Sequence, residues 1–301
     1  MIRSFDHYDF DAASLVERKG GERISVCLPA RNEEDTVGEI VSRIHEQLVE
    51  RVPLVDELVV IDDHSTDATA ARAEAAGATV VEAASVLPDV AGGPGKGRAL
   101  WRSLHVSSGS IVAWCDTDVT NFGTQFVVGL LGPLLVEPDL LYVKGFYRRP
   151  LGTGGDGGGR VTELVARPLL SLLHPDLTSV VQPLSGEYAG RRVALEQVPF
   201  VCGYGVEIGL LIDLAARFGV DAMAQVDLGT RRHRNRPLRD LGPQAMTIMQ
   251  VALRRAEPGF VDESGVLVRP EEPPLAVTAD ELPPLLSVRE YLARHHPTES
   301  P

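Results

Sequence analysis

Ile24-Ser25-Val26-Cys27-Leu28-Pro29-Ala30-Arg31-Asn32-Glu33-Glu34 begins as a short apolar run and ends on four polar residues. Beyond it Val37, Ile40, Val41, Ile44 and Leu48 recur at helical spacing, so the segment reads as a buried strand followed by an amphipathic helix. The alternation continues. Leu58 to Ile61 predicts a second strand, and an alanine-rich helix from about Asp67 stops at Gly77, a residue suited to a left-handed cap. Thr79 to Glu82 predicts a third strand; a glycine-rich loop, a helix around Ala99 to Val106 and a fourth strand, Ile111 to Cys115, follow. Four such units in succession imply an α/β protein with a parallel, doubly wound sheet. Polar residues follow three of the strands directly: Asn32-Glu33-Glu34, Asp62-Asp63 and Asp116-Thr117-Asp118. Open α/β sheets bind ligands outside the carboxyl ends of their strands, so these clusters are expected to share one crevice.

The second half is less regular, with a strand expected from Leu140 to Tyr147 and helices near Val161 to Leu173 and Val206 to Phe218. No internal repeat is evident, and beyond Glu257 the chain holds 8 of its 21 prolines, which predicts an extended tail over the surface or a neighbouring subunit. The 301 residues carry 42 acidic against 29 basic side chains, a net charge of -13, which disfavours nucleic acid and anionic membrane as partners. Cys27, Cys115 and Cys202 lie far apart without metal-ligand spacing, as suits a reducing cytoplasm. The N-terminus lacks a signal-peptide core, and Pro133 and glycines interrupt the longest apolar stretch, so no membrane span is expected.

Asp116 and Asp118 are two apart, and strand periodicity would turn both carboxylates toward one hard cation, Mg²⁺ or Mn²⁺; acidic loop solvation is the plainer alternative. Gly92-Gly93-Pro94-Gly95-Lys96-Gly97 looks like a phosphate loop but lacks the Ser or Thr that should follow the lysine, leaving Lys96 as a point charge for a phosphate or as part of a surface turn. Gly157-Gly158-Gly159-Arg160-Val161-Thr162-Glu163 leads into a helix whose amides, dipole and guanidinium could hold a small anion, unless the glycines are only a linker. Arg231-Arg232-His233-Arg234-Asn235-Arg236-Pro237 concentrates arginines in an acidic chain and fits phosphate neutralisation, with His233 able to complete a metal's ligand set and Asn235 able to bond a hydroxyl. Glu207, in Gly203 to Gly209, serves either the helix dipole or a substrate, and Glu187, in Leu184 to Tyr188, meets either a sugar or solvent.

Taken together, Pro29 to Glu34, the Asp62 turn, Gly95-Lys96-Gly97, Asp116-Thr117-Asp118, Val143-Lys144-Gly145-Phe146-Tyr147-Arg148-Arg149-Pro150 and Gly203 to Gly209 resemble the glucosyl-3-phosphoglycerate synthase family. Gly158 to Leu170 and His233 to Pro237 carry the most specific part of the likeness, which runs from about Ile24 to about Gly242. The resemblance implies a GT-A glycosyltransferase with a Rossmann-like, mainly parallel sheet and an acceptor-binding subdomain. It would move glucose from UDP-glucose, with retention, to 3-phosphoglycerate, using Mg²⁺ or Mn²⁺, as a cytoplasmic homodimer. The expected organisation is an N-terminal extension (1–23), a nucleotide-sugar-binding half (24–120), an acceptor-binding half of the same domain (121–256) and the proline-rich tail (257–301).

Position by position, the resemblance implies that Pro29, Ala30 and Glu33, with Asp63 beside them, bind the uridine, Lys96 the nucleotide, and Asp116 and Asp118 the diphosphate end. Asp118 and His233 would ligate the metal; Gly159, Arg160, Thr162 and Asn235 would hold the phosphoglycerate; Tyr204 and Glu207 would lie near the transferred sugar. Asp116 and Glu207 are catalytic candidates, as is Leu184 through its carbonyl, in a front-face substitution with the departing diphosphate as base. The match departs from the family where Asp62-Asp63-His64-Ser65 replaces Asp-Ser-Gly-Ser, at Arg31 and at Ser185. Mannosyl transfer from GDP-mannose to the same acceptor and a catalytically silent nucleotide-sugar binder are the rival readings. A nucleotidylyltransferase lacks its N-terminal glycine-rich signature here, and a processive synthase would need membrane helices.

Overall fold

The computed structural model describes residues 2–93, 95–151, 155–156, 159–232, 237–262 and 264–297. Eight strands make the central sheet: β1 (Arg3–Asp6), β2 (Ile24–Ala30), β3 (Glu57–Asp62), β4 (Thr79–Glu82), β5 (Ile111–Trp114), β6 (Tyr142–Arg148), β7 (Tyr188–Arg191) and β8 (Met223–Thr230). Their order is β1-β8-β6-β7-β5-β2-β3-β4, and every neighbouring pair is parallel except β7 with β5 and β6. Alternate side chains of one strand enter two cores. Cys27, Val59 and Ile61 pack on one face of the sheet, and Val26, Leu28, Leu58 and Val60 on the other. That double burial is why these strands read as continuous apolar runs rather than as polar alternation.

Helices α1 (Ala12–Lys19), α2 (Val37–Ile44), α3 (Thr69–Ala75), α4 (Lys96–Val106), α5 (Gln125–Val136), α6 (Arg167–Leu173), α7 (Val206–Phe218), α8 (Leu241–Ala256) and α9 (Arg289–His295) cover the sheet. The apolar residues of α4 and α7 join the first core and those of α2 and α5 the second. No helix among the described residues is long and apolar enough to cross a membrane.

Several local expectations shift. Helix α4 starts at Lys96 rather than near Ala99, because Gly95, at φ 125°, turns the chain and Gly97 packs directly on backbone: a Cβ there would lie 1.7 Å from the Val201 carbonyl oxygen. Strand β5 ends at Trp114, one residue earlier than expected, and β6 runs Tyr142–Arg148. Antiparallel β7 has no apolar run to announce it. Residues 2–23 enter the sheet through β1, while α1 and Phe10 pack on α5, where a Cβ on Gly132 would lie 2.2 Å from the Phe10 ring. The tail lies on its own chain. Glu281–Leu282 pairs with Phe200–Val201, the Trp101 indole N–H donates to the Pro283 carbonyl, and Tyr291 is buried.

Candidate active site

The carboxyl ends of β2, β3 and β5 and the first turns of α4 and α7 open onto one cleft of about 630 Å³. Its wall includes Pro29, Ala30, Glu33, Asp63, Lys96, Asp116 and Asp118. Gly159, Arg160, Thr162, Leu184, Tyr204 and Glu207 line it as well, so every site residue expected from the sequence that is described borders this space. His233 and Asn235 lie outside the described residues.

Two tight turns shape the far end. Asn32 and His64 take left-handed conformations, φ 56° and 64°, just after β2 and β3. The Asn32 N–H donates to Ser65 Oγ, and Asn32 Oδ1 accepts the Thr66 N–H at 2.8 Å, locking the turns together. The Asp63 N–H donates to the Ala30 carbonyl at 2.8 Å, and the Asp63 carboxylate bonds His64 Nδ1 at 3.0 Å. Asn tolerates the left-handed region because its short amide can bond locally.

At the centre, two cations hold four carboxylates. Lys96 Nζ lies 2.5 Å from Asp116 Oδ1 and 2.8 Å from Glu207 Oε1. Arg231 Nη2 donates to Asp116 Oδ2 at 2.9 Å and Asp118 Oδ1 at 2.7 Å, while its Nε faces Glu187 Oε1 at 3.0 Å. Burial would raise the Asp116 carboxyl, but Lys96 and Arg231 outweigh it and hold the group down at about 2. Burial opposes the Lys96 ammonium too, and Asp116 and Glu207 overcome it, keeping it well above the ordinary lysine value. Glu187 is fully buried, and burial lifts its carboxyl despite Arg231. Gly186 is required beside it: a Cβ would lie 2.1 Å from Asp116 Oδ2. Beneath the cleft Lys144 donates to the Ser185 carbonyl at 2.9 Å and stands 4.6 Å over the Tyr188 ring; burial brings its ammonium down to about 7.

Gly159, also on the cleft, has φ 86° and accepts the Glu163 N–H through its carbonyl at 2.9 Å, and the chain is helical from position 160. That geometry presents a helix N-terminus, with its partial positive charge, beside Arg160 and the buried Thr162. The arrangement can receive one anion here and a second beside Lys96 and the Asp116–Asp118 pair. Asp116 and Asp118 supply the hard oxygen donors that Mg²⁺ or Mn²⁺ prefers.

The structure corrects four sequence readings. Asp116 and Asp118 lie in the loop beyond β5, so Arg231 and not strand periodicity brings their carboxylates together. Arg231, read with its neighbours as a phosphate neutraliser, is buried among carboxylates. Glu187 is fully buried beside Arg231 rather than open to solvent, and it is not among the cleft-lining residues. Lys96 begins a helix rather than standing on a flexible loop or surface turn, and Gly97, which excludes a phosphate loop, meets a packing need. The cleft also takes Arg149, Asp240, Gln244 and Thr278, which no spacing rule had marked.

Residues 25–198 match the model of glycosyl transferase family 2. The glucosyl-3-phosphoglycerate synthase of Mycolicibacterium paratuberculosis is 51% identical over 271 residues, covering 88% of this chain and 80% of that protein. The Petrotoga mobilis enzyme of the same name is 42% identical over 310 residues, covering 97% and 95%. A crystal structure of Mycobacterium tuberculosis glucosyl-3-phosphoglycerate synthase with Mn²⁺, UDP-glucose and phosphoglyceric acid superimposes at a TM-score of 0.87, with 46% identity over 96% of this chain and 99% of that one. Another, with Mg²⁺ and UDP, gives 0.86 at 45% identity, again covering 96% and 99%. The chain belongs to glycosyl transferase family 2 and, within it, to the glucosyl-3-phosphoglycerate synthases.

Proposed function

We propose that this protein transfers glucose from UDP-glucose to 3-phosphoglycerate, with retention and dependence on Mg²⁺ or Mn²⁺, giving glucosyl-3-phosphoglycerate. One observation carries the reading: the Asp116–Asp118 pair and the Gly159-Arg160 helix start open on the same cleft, so a donor diphosphate and an acceptor anion meet there. The M. tuberculosis relative holds Mn²⁺, UDP-glucose and phosphoglyceric acid together, which supports it.

In this reading Pro29, Ala30, Glu33 and Asp63 receive the uridine in the half 24–120, and Gly159, Arg160, Thr162 and Asn235 hold the phosphoglycerate in the half 121–256. Asp118 would ligate the ion with His233, and the donor set fits: among the described residues only Oδ1 of Asp118 has an ion-pair partner, and its side chain is 31% exposed. When bound, the ion offsets the negative charge that develops on the leaving diphosphate. Lys96, fixed by Asp116 and Glu207, adds a second positive charge near the same oxygens. Glu207 and Tyr204 position the sugar, the Leu184 carbonyl faces its cationic centre, and Arg160 aims the acceptor hydroxyl at the same face the diphosphate leaves. The work is orientation and electrostatics, with no protein nucleophile.

The protein acts as a homodimer in the cytoplasm: Leu164 and Leu172, 73% and 80% exposed, are apolar side chains that a second copy would cover, and its three cysteines are free thiols.

Purified protein with Mg²⁺, 3-phosphoglycerate and, separately, UDP-glucose, GDP-glucose or GDP-mannose tests the assignment by identification of the product. UDP-glucose should give glucosyl-3-phosphoglycerate. Preference for GDP-mannose would move the protein to the mannosyl reaction, and inertness toward all three would overturn the reading.

A further inference from the structure

We propose that Arg149 is a second arginine of the acceptor site, reading the carboxylate of 3-phosphoglycerate; the inference rests on the functional reading above. Arg149 lines the cleft just beyond β6, on the wall shared with Gly159 and Arg160. A Cβ built on Gly159 would lie 4.0 Å from Arg149 Nη1, so the guanidinium reaches the glycine turn itself. Its orientation is fixed. Nη2 donates to the Tyr147 hydroxyl at 2.9 Å, and the guanidinium carbon stands 4.9 Å from the centre of the Tyr147 ring.

Its charge is also available. Lys96 and Arg231 are matched to carboxylates, but no carboxylate lies within ion-pair distance of Arg149 among the described residues, and its Nε is buried without a hydrogen-bond partner among them. A buried guanidinium N–H left in that state costs free energy that an incoming anion would recover. The acceptor brings two anions on a three-carbon frame. With the phosphate on the helix start beside Arg160 and the C2 hydroxyl turned toward the donor, the carboxylate falls on the donor side of the glycine turn. Arg149 occupies that side, close enough that its charge is among those favouring ionised Asp116.

The test is a comparison of two ligands by titration calorimetry in the presence of Mg²⁺ and UDP: 3-phosphoglycerate, and glycerol 3-phosphate, which lacks the carboxylate. Wild type should prefer 3-phosphoglycerate by roughly 10- to 100-fold, the range for a charge-assisted hydrogen bond. In Arg149→Met the preference should collapse toward unity, through weaker 3-phosphoglycerate binding and little change for glycerol 3-phosphate; Arg149→Lys should restore part of it. An unchanged preference in Arg149→Met, or equal weakening of both ligands, overturns the proposal while leaving the function standing. A wild type that binds neither compound removes the acceptor reading and this inference with it.

Discussion

Replacing Arg231 with methionine leaves a similar volume without the charge that holds Asp116, Asp118 and Glu187 together. Arg231 is 4% exposed and Glu187 fully buried, so water cannot replace the lost cation at Glu187. Breaking a buried pair from one side costs about 3–5 kcal/mol, because the surviving charge stays buried and uncompensated. For 301 residues, at about 2.1 cal/mol/K of unfolding entropy per residue, that corresponds to roughly 5–8 °C in Tm. The cost should depend on pH. Burial already raises the Glu187 carboxyl, and without Arg231 it rises further, so the folded variant binds a proton more tightly than the unfolded chain. Stability lost at pH 7 should therefore return in part as pH falls toward 5, and Glu187→Gln placed in the Arg231→Met background should recover part of it at pH 7. Urea unfolding across pH measures both. A loss below about 1 kcal/mol, or one independent of pH and unrelieved by Glu187→Gln, would refute the reasoning.

Asp118→Ala should abolish transfer with Mg²⁺, by about 10²-fold or more, and weaken Mn²⁺ binding measured by electron paramagnetic resonance in the presence of UDP. Gly97→Ala should destabilise by about 3 kcal/mol or prevent folding, since the new methyl meets the Val201 carbonyl oxygen rather than a movable side chain; thermal unfolding checks it. Lys144 binds its proton less tightly folded than unfolded, so wild-type stability should rise with pH between about 7 and the ordinary lysine value of 10.5, and Lys144→Met should flatten that rise in urea titrations.

The parallel part of the sheet was legible because β2, β3 and β5 are buried on both faces and write their burial as apolar runs. The crevice was legible for a related reason: chain leaving such a strand must turn polar at the same edge, and Glu33, Asp63 and Asp118 stand there. Strand β7, Tyr188-Ala189-Gly190-Arg191, was hidden by its small and charged residues, and only pairing with both β5 and β6 makes it a strand. Partners of side chains were the least legible. Arg231 and Glu187 are separated by 44 positions, and nothing local distinguishes a guanidinium buried against carboxylates from one in an exposed basic run. Arg149 stood in the Val143 to Pro150 segment without a legible role, because its orientation depends on Tyr147 and its place on the cleft on the Gly159 turn.

The most direct measurement of the central claim, that donor diphosphate and acceptor anion gather beside one carboxylate-held ion, is paramagnetic relaxation of the 3-phosphoglycerate phosphorus by Mn²⁺ in the complex with UDP. The account predicts strong broadening in wild type that disappears in Asp118→Ala. A bound 3-phosphoglycerate whose phosphorus signal is untouched by Mn²⁺ would contradict it.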